Sequence, residues 1–167
     1  PVSNPTQAGA ELAARFFTAT SEGQANAVMD EGRARYAIVD DSLPVLVHRA
    51  EGRVTGSFNV LSEWAHVPAS RFSEVYYETN AAGARSTVLL FYPEYYQTMA
   101  YRLYVHAGRA VTPQNATYVV SYENRTFADG RPYRQILASR RFVTPADADA
   151  YRASLGPGLH RIAARDP

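Results

Sequence analysis

The sequence of 167 residues contains no cysteine and no lysine, so all seventeen of its basic side chains are arginine. The absence of cysteine excludes disulfides, thiolate catalysis and Cys-ligated metal, and it leaves the redox compartment open. The absence of lysine excludes catalysis that depends on a lysine amine. No run of about 18 apolar residues occurs, so no segment is expected to cross a bilayer by itself.

The rest of the composition is that of an ordinary globular domain. Hydrophobic residues make up 46% and charged residues 20% of the chain, and the formal net charge is +1. A chain of this length can bury a hydrophobic core. A charge this balanced gives no electrostatic basis for binding nucleic acid. We therefore expect a folded domain with no nucleic-acid partner.

Motifs that would indicate a self-contained active site are missing. The sequence has no nucleophile elbow, no phosphate-binding loop and no dinucleotide-binding fingerprint. We also predict no metal site, because the four histidines are too scattered for a ligand spacing: His48, His66, His106 and His160.

Two groups of charged residues allow a functional or a purely structural interpretation. Asp40 and Asp41 follow a predicted strand, where α/β enzymes often place acids, but a solvated turn explains them equally well. Arg140 and Arg141, together with nearby arginines at 125, 131 and 134, could bind phosphate. Alternation along strands would instead spread these side chains over two faces, and we favour a solvated surface.

Apolar spacing predicts the order of helices and strands. Helices are predicted over 6–19, over about 22–32 after a capping box at Ser21, over about 54–64, and from 93 to about 108. Strands are predicted at 35–40, 45–47, 87–91, 118–122, 133–139 and 159–163, with a short helix capped by Thr144 before the last of them.

This order indicates a mixed α/β (α+β) fold in one compact domain over residues 1–167. N-terminal helices surround a small sheet over about 1–110, and a strand-rich segment covers about 111–167. The chain starts at Pro1 without a basic, apolar signal segment, and we expect it to be cut from a longer polypeptide.

Tyrosines and glycosylation triplets are the other conspicuous features. The twelve tyrosines include a group that either forms a surface for sugar or peptide or, as helical spacing favours, packs in the core: Tyr92, Tyr95, Tyr96, Tyr101 and Tyr104. Two Asn-x-Thr triplets begin at Asn115 and Asn124, which agrees with an extracytoplasmic location.

Four short segments carry a resemblance through their common order along the chain. They are NPTQAGA (4–10) with ARFF (14–17), RYAIVD (35–40), PEYYQTM (93–99) with RLY (102–104), and HRI (160–162). Together they resemble the C-terminal part of the archaeal oligosaccharyltransferase catalytic subunit, although the last segment is one residue shorter here. The Trp-Trp-Asp-Tyr-Gly signature of that family is not in this chain.

The resemblance implies the soluble extracytoplasmic domain of a polytopic enzyme in the cell membrane. Such an enzyme transfers a glycan from a dolichol-type lipid phosphate or diphosphate to the asparagine of Asn-x-Ser/Thr in an acceptor polypeptide. It needs a divalent metal, Mn²⁺ or Mg²⁺, held by acidic residues outside this fragment. The lipid-linked oligosaccharide would also bind through the missing membrane part, so the isolated domain is expected to be inactive.

The family's acceptor Ser/Thr pocket transfers to one predicted helix. Its lysine corresponds to Ser57, with Phe58 beside it, and its Ile or Met, which packs on the threonine methyl, corresponds to Leu61. Ser57 departs from the family pattern, whereas Leu61 keeps an apolar contact; Leu61 is equally well explained as helix core.

Two other functions remain as alternatives. One is a non-catalytic extracytoplasmic module that binds glycan or peptide through the tyrosine-rich helix at 92–104. The other is an accessory domain of a different polytopic glycosyltransferase. Burial of Tyr95, Tyr96 and Tyr101 would exclude them from such an aromatic surface.

Overall fold

Helices dominate the first part of the computed structural model and strands the last part. The structure describes residues 7–39, 43, 47–50, 53–108 and 117–165. The helices are α1 (Gln7–Thr18), α2 (Glu22–Glu31), α3 (Ser57–Trp64), α4 (Pro93–Tyr96), α5 (Met99–His106) and α6 (Pro145–Ser154). The strands are β1 (Val47–Ala50), β2 (Arg53–Gly56), β3 (Ser73–Thr79), β4 (Arg85–Phe91), β5 (Thr117–Thr126), β6 (Pro132–Phe142) and β7 (Leu159–Ala163). The predicted α+β class is confirmed.

The chain divides into two compact units, each assembled from separate stretches of sequence. Unit 1 comprises Pro1–Arg49, Thr55–Phe72 and Glu94–Thr112. Unit 2 comprises Ala50–Val54, Ser73–Pro93 and Pro113–Pro167. The hairpin β3–β4 therefore belongs with the later strands, although it precedes them by a long stretch of sequence.

In unit 1 the predicted capping box begins α2. The Ser21 hydroxyl accepts a hydrogen bond from the Gln24 N–H at 3.3 Å, and the Gln24 side chain accepts from the N–H of Thr20, also at 3.3 Å. Gly32 ends the helix, since its N–H donates to the carbonyl of Val28 at 3.0 Å. The local sequence thus satisfies backbone donors at the start of α2 and fixes where the helix begins.

The helix predicted from residue 93 to 108 is broken into α4 and α5. Thr98 lies at the break in an extended conformation, and its hydroxyl caps α5 by accepting from the N–H of Tyr101 at 3.4 Å. A threonine that can cap a new helix competes with continuation of the old one. The buried Arg102 of α5 pairs with Glu22 at 2.7 Å and donates to the carbonyl of Gly108 at 3.1 Å.

Unit 2 is built on a five-stranded sheet in the order β4-β3-β6-β5-β7. β3 runs parallel to β6, and the other neighbours are antiparallel. Beyond β7, Ala164 forms an antiparallel bridge to Phe91 at the end of β4, with two N–H to carbonyl bonds of 2.8 Å. The two edges of the sheet meet at this bridge, so the sheet curls towards a small barrel.

Alternation along the strands places one set of side chains on the concave face of this sheet. Its apolar core consists of Tyr76, Leu90, Tyr92, Val120 and Ala163. Helix α6 contacts β5, β6 and β7 and is capped as predicted, since the Thr144 hydroxyl accepts from the N–H of Asp147 at 3.1 Å.

The strand predicted at 35–40 is wrong for the part that the structure describes. Residues 34–39 form neither helix nor strand, and Tyr36 is 83% exposed. An apolar run supplies strand propensity, but pairing and burial need a neighbouring strand, and the pattern does not specify one. Residues 40–42 and 45–46 lie outside the described residues, and the strand predicted at 45–47 meets the structure only at Val47, where β1 begins.

A membrane crossing requires a helix that is both long and apolar. Within the described ranges, none of the helices meets that requirement.

Candidate functional site

The residues predicted for an acceptor pocket lie on α3 of unit 1 and differ in burial. Phe58 is 4% exposed and packs edge-to-face on Phe72 and Tyr95, with ring centroids 5.1 and 5.2 Å away. It anchors the helix, so a direct contact between Phe58 and a ligand would require α3 to move. The side chain of Ser57 lies outside the described residues.

Leu61 is partly buried and lies beside two exposed apolar side chains. Val60 and Trp64 are among the exposed large hydrophobic residues, at 53% and 40%. On a helix, residues three and four apart are neighbours, so Trp64 lies next to both Val60 and Leu61. We call these three residues the α3 apolar surface. It offers carbon contacts and no charge.

Three tyrosines of α4 and α5 pack against one another instead of facing solvent. Tyr95, Tyr96 and Tyr101 are at most 4% exposed, and their rings meet pairwise in edge-to-face contacts with centroids 5.0 to 5.5 Å apart. Burial raises the pKa of Tyr95 above that of a free tyrosine. The packing interpretation is confirmed for these three rings, which are not available as a binding surface, whereas Tyr104 is exposed.

Unit 2 contains a polar cluster on the concave face of its sheet that sequence reasoning missed. Glu74 of β3 forms an ion pair with Arg134 of β6, and its other oxygen accepts a hydrogen bond from the Tyr92 hydroxyl at 2.6 Å. The Tyr76 and Tyr92 hydroxyls are hydrogen-bonded to each other at 2.8 Å. Arg161 of β7 lies 3.9 Å from the same carboxylate. We call these five residues the Glu74 cluster.

Burial changes the chemistry of the two tyrosines in the Glu74 cluster. Loss of solvent raises the pKa of Tyr76 to about 12, although its hydrogen bond with Tyr92 acts in the opposite direction. Loss of solvent also raises the pKa of Tyr92, and its hydrogen bond to the Glu74 carboxylate adds to that effect. Both hydroxyls therefore stay protonated at neutral pH, and Tyr92 serves as a donor to Glu74.

Three arginines of unit 2 outside the Glu74 cluster have partners of their own. Arg125 pairs with Glu123, Arg131 pairs with Asp129, and Arg140 lies over the ring of Tyr151 at 4.7 Å. Arg134 and Arg140 lie in different surroundings. Regular alternation would place them on one face of β6, but the pairing of β6 with β5 shifts between Ile136 and Ala138 and reverses the alternation there. Arg134 is the exception to a solvated surface, because it joins the Glu74 cluster.

The Glu74 cluster has only a weak signal in the sequence. Glu74 and Glu78 alternate with Tyr76 along β3, so polar and aromatic side chains share one face of a strand. That pattern shows that a carboxylate accompanies a core tyrosine. It does not reveal the partners, because Arg134 and Arg161 come from strands 60 or more residues further along the chain.

Metal binding has no candidate group in the part of the chain that the structure describes, where no three His, Asp or Glu side chains converge. Comparison of the chain with protein-family models, with curated proteins and with solved structures finds no match in any of the three.

Proposed function

We propose that this chain is the acceptor-recognition domain of an oligosaccharyltransferase, which transfers a glycan from a dolichol-type lipid phosphate or diphosphate carrier to Asn in Asn-x-Ser/Thr. The proposal is carried by one observation, the ordered series of segments at 4–17, 35–40, 93–104 and 160–162 that resemble the archaeal enzyme. The lack of any match in the three comparisons leaves this series as the principal support.

The α3 apolar surface is the part of the chain that we assign to the acceptor. Leu61 corresponds to the family position that packs on the threonine methyl, and Val60 and Trp64 extend the carbon surface around it. Contact between a methyl group and such a surface discriminates threonine from serine by about 1–3 kcal/mol. Phe58 contributes by fixing the helix against Phe72 and Tyr95.

The chemical step lies outside this chain in our proposal. A divalent metal, Mn²⁺ or Mg²⁺, would supply a Lewis acid for the departing phosphate. From the resemblance, we assign the metal and the lipid donor to the membrane part of the enzyme. We therefore derive no catalytic step from this chain.

The experiment compares glycan transfer to a labelled Asn-x-Thr peptide by the full-length parent enzyme in membranes with Mn²⁺. Leu61→Asp places a charge on the α3 apolar surface and is expected to lower transfer at least tenfold, because burying a carboxylate against a methyl group is costly. Leu137→Asp is the matched control, since Leu137 is an exposed leucine of β6 in unit 2.

Loss of transfer in Leu61→Asp alone, with the domain still folded by circular dichroism, would support the assignment. Equal transfer by both variants would show that Leu61 does not contact the acceptor and serves only in helix packing. Absence of transfer by the unaltered parent enzyme would remove the proposed function itself.

The alternative of a glycan- or peptide-binding module loses its proposed surface, because Tyr95, Tyr96 and Tyr101 are buried. Tyr104 remains exposed at the end of that helix, and one exposed ring gives little reason to prefer this function.

A further inference from the structure

We propose that the Glu74 cluster of unit 2 binds a compact oxyanion, a carboxylate or a phosphate group, between the guanidinium groups of Arg161 and Arg134. This site lies in unit 2, and the proposal does not depend on the acceptor role assigned to α3.

The curled sheet brings the two arginines to one carboxylate. In the sheet order, Glu74 on β3 and Arg161 on β7 are three strand positions apart. In a flat sheet that separation is about 14 Å, given strand spacings of about 4.8 Å. The observed 3.9 Å between the Arg161 guanidinium and Glu74 Oε2 shows that these side chains meet across the concave face.

Each oxygen of the Glu74 carboxylate already has another partner. Arg134 pairs with Oε1, and Oε2 accepts the short hydrogen bond from Tyr92. At 3.9 Å, the Arg161 guanidinium interacts electrostatically with the Glu74 carboxylate but is too distant for a hydrogen bond. Among the described residues, none forms a hydrogen bond with the Arg161 guanidinium, which leaves its N–H donors available for a ligand.

The Tyr92 ring fixes the plane of the Arg161 guanidinium. The guanidinium carbon lies 3.6 Å from the ring centroid, which is stacking contact. All five N–H donors of arginine lie in the guanidinium plane, so stacking leaves them pointing outwards beside the ring. This orientation suits two parallel hydrogen bonds to a carboxylate or phosphate.

Charge and exposure also fit an oxyanion. Two guanidinium groups face one carboxylate in the Glu74 cluster, which leaves one positive charge to be balanced. The Arg134 and Arg161 side chains are 35% and 38% exposed, whereas Glu74 is 10% exposed. Solvent, and therefore a ligand, can reach both arginine side chains, whereas Glu74 is mostly buried and pairs with Arg134.

The test titrates the whole 167-residue chain with inorganic phosphate and, separately, with acetate, at ionic strength held constant with chloride. Binding is followed by two-dimensional ¹H–¹⁵N NMR. We expect saturable shifts in the amides around Arg161 and in its side-chain N–H signals. Saturation by phosphate alone would identify a phosphate site, saturation by acetate alone a carboxylate site, and saturation by both a general oxyanion site.

Arg161→Gln should weaken this binding about tenfold, the loss expected for one charge-assisted hydrogen-bonding group. Arg161→Lys keeps the charge but lacks the planar fork, so it should also bind more weakly than the unaltered chain. Arg152→Gln is the control, because Arg152 is an exposed arginine on α6 that pairs with Asp149. Amide signals outside β7 report whether each variant keeps its fold.

Three outcomes would overturn the proposal. The first is the absence of saturable shifts in the unaltered chain. The second is equal affinity of the unaltered chain and both Arg161 variants. The third is an equal loss in Arg161→Gln and Arg152→Gln, which would show nonspecific charge attraction.

Discussion

The two units use buried tyrosines in different ways. In unit 1, Tyr95 lies among aromatic rings, with Phe58, Tyr96 and Tyr101 around it in edge-to-face contact. In unit 2, Tyr92 also lies in the core, but its hydroxyl donates to the carboxylate of Glu74, and the guanidinium group of Arg161 lies over its ring. The first arrangement stabilises a helix by packing, and the second positions charged groups.

This difference shows that burial of a tyrosine does not by itself indicate its role. The pKa of Tyr92 is raised by burial and further by its bond to Glu74, whereas burial is the main cause for Tyr95. Edge-to-face contacts such as those around Tyr95 can be made by another ring of similar shape. A tyrosine bonded to a carboxylate is part of a charged network, and its replacement changes the neighbours as well.

Removal of a whole ring from unit 1 should have the largest effect on stability. Tyr95→Ala deletes a side chain that is 1% exposed, and we expect the free energy of unfolding to fall by about 3–5 kcal/mol. Urea denaturation followed by circular dichroism measures the change. Tyr104→Ala removes an exposed ring of α5 as the control, and a similar loss in both variants would contradict the packing role of Tyr95.

Removal of the charge at the centre of the Glu74 cluster should cause the second largest loss of stability. Glu74→Gln keeps the shape but leaves two guanidinium groups without their counter-charge, and we expect a loss of about 2–3 kcal/mol in the same measurement. Glu63→Gln changes an exposed glutamate of α3 and should have little effect. If Glu74→Gln lowered the free energy of unfolding no more than Glu63→Gln does, the charge of Glu74 would not stabilise unit 2.

Removal of the Tyr92 hydroxyl alone should cause a smaller loss of stability than removal of the Glu74 charge. Tyr92→Phe keeps the ring under Arg161 but loses the donor to Glu74, and we expect the free energy of unfolding to fall by about 1–2 kcal/mol. A double-mutant cycle with Glu74→Ala, which removes the acceptor, should show that the two losses are not additive, because each substitution removes one partner of the same bond. Fully additive losses would mean that the bond contributes nothing.

At alkaline pH, Tyr76 should cause a loss of stability that does not occur at neutral pH. Because the folded state raises the pKa of Tyr76 to about 12, above that of a free tyrosine, Tyr76 binds its proton more tightly when folded. The contribution of this pKa shift to the free energy of unfolding is therefore complete below the unfolded pKa of about 10. It is lost as the pH rises towards 12. Tyr76→Phe should reduce the fall in stability between these pH values, as measured by urea denaturation at each pH. An unchanged fall would contradict the prediction.

Local patterns predicted most of the elements but not the Glu74 cluster. Ser21 and Thr144 cap helices as expected, because a cap involves only residues three positions apart. The prediction of a strand at 35–40 was wrong, because a strand needs a partner that is distant in the sequence. The break at Thr98 was not predicted, because it depends on competition between ending one helix and starting another. Glu74 and Arg161 meet only because the sheet curls, and the sequence gives no register for β3 against β7.

The most direct test of the proposed function is the preference of the full-length parent enzyme for threonine over serine in the acceptor. Glycan transfer to Asn-x-Thr and Asn-x-Ser peptides is measured for the unaltered enzyme and for Leu61→Ala, which shortens the side chain assigned to the threonine methyl. We predict that the ratio of the two rates falls about tenfold in Leu61→Ala, as expected for the loss of a methyl contact. An unchanged ratio in an enzyme that still transfers glycan would contradict the assignment of the acceptor to α3.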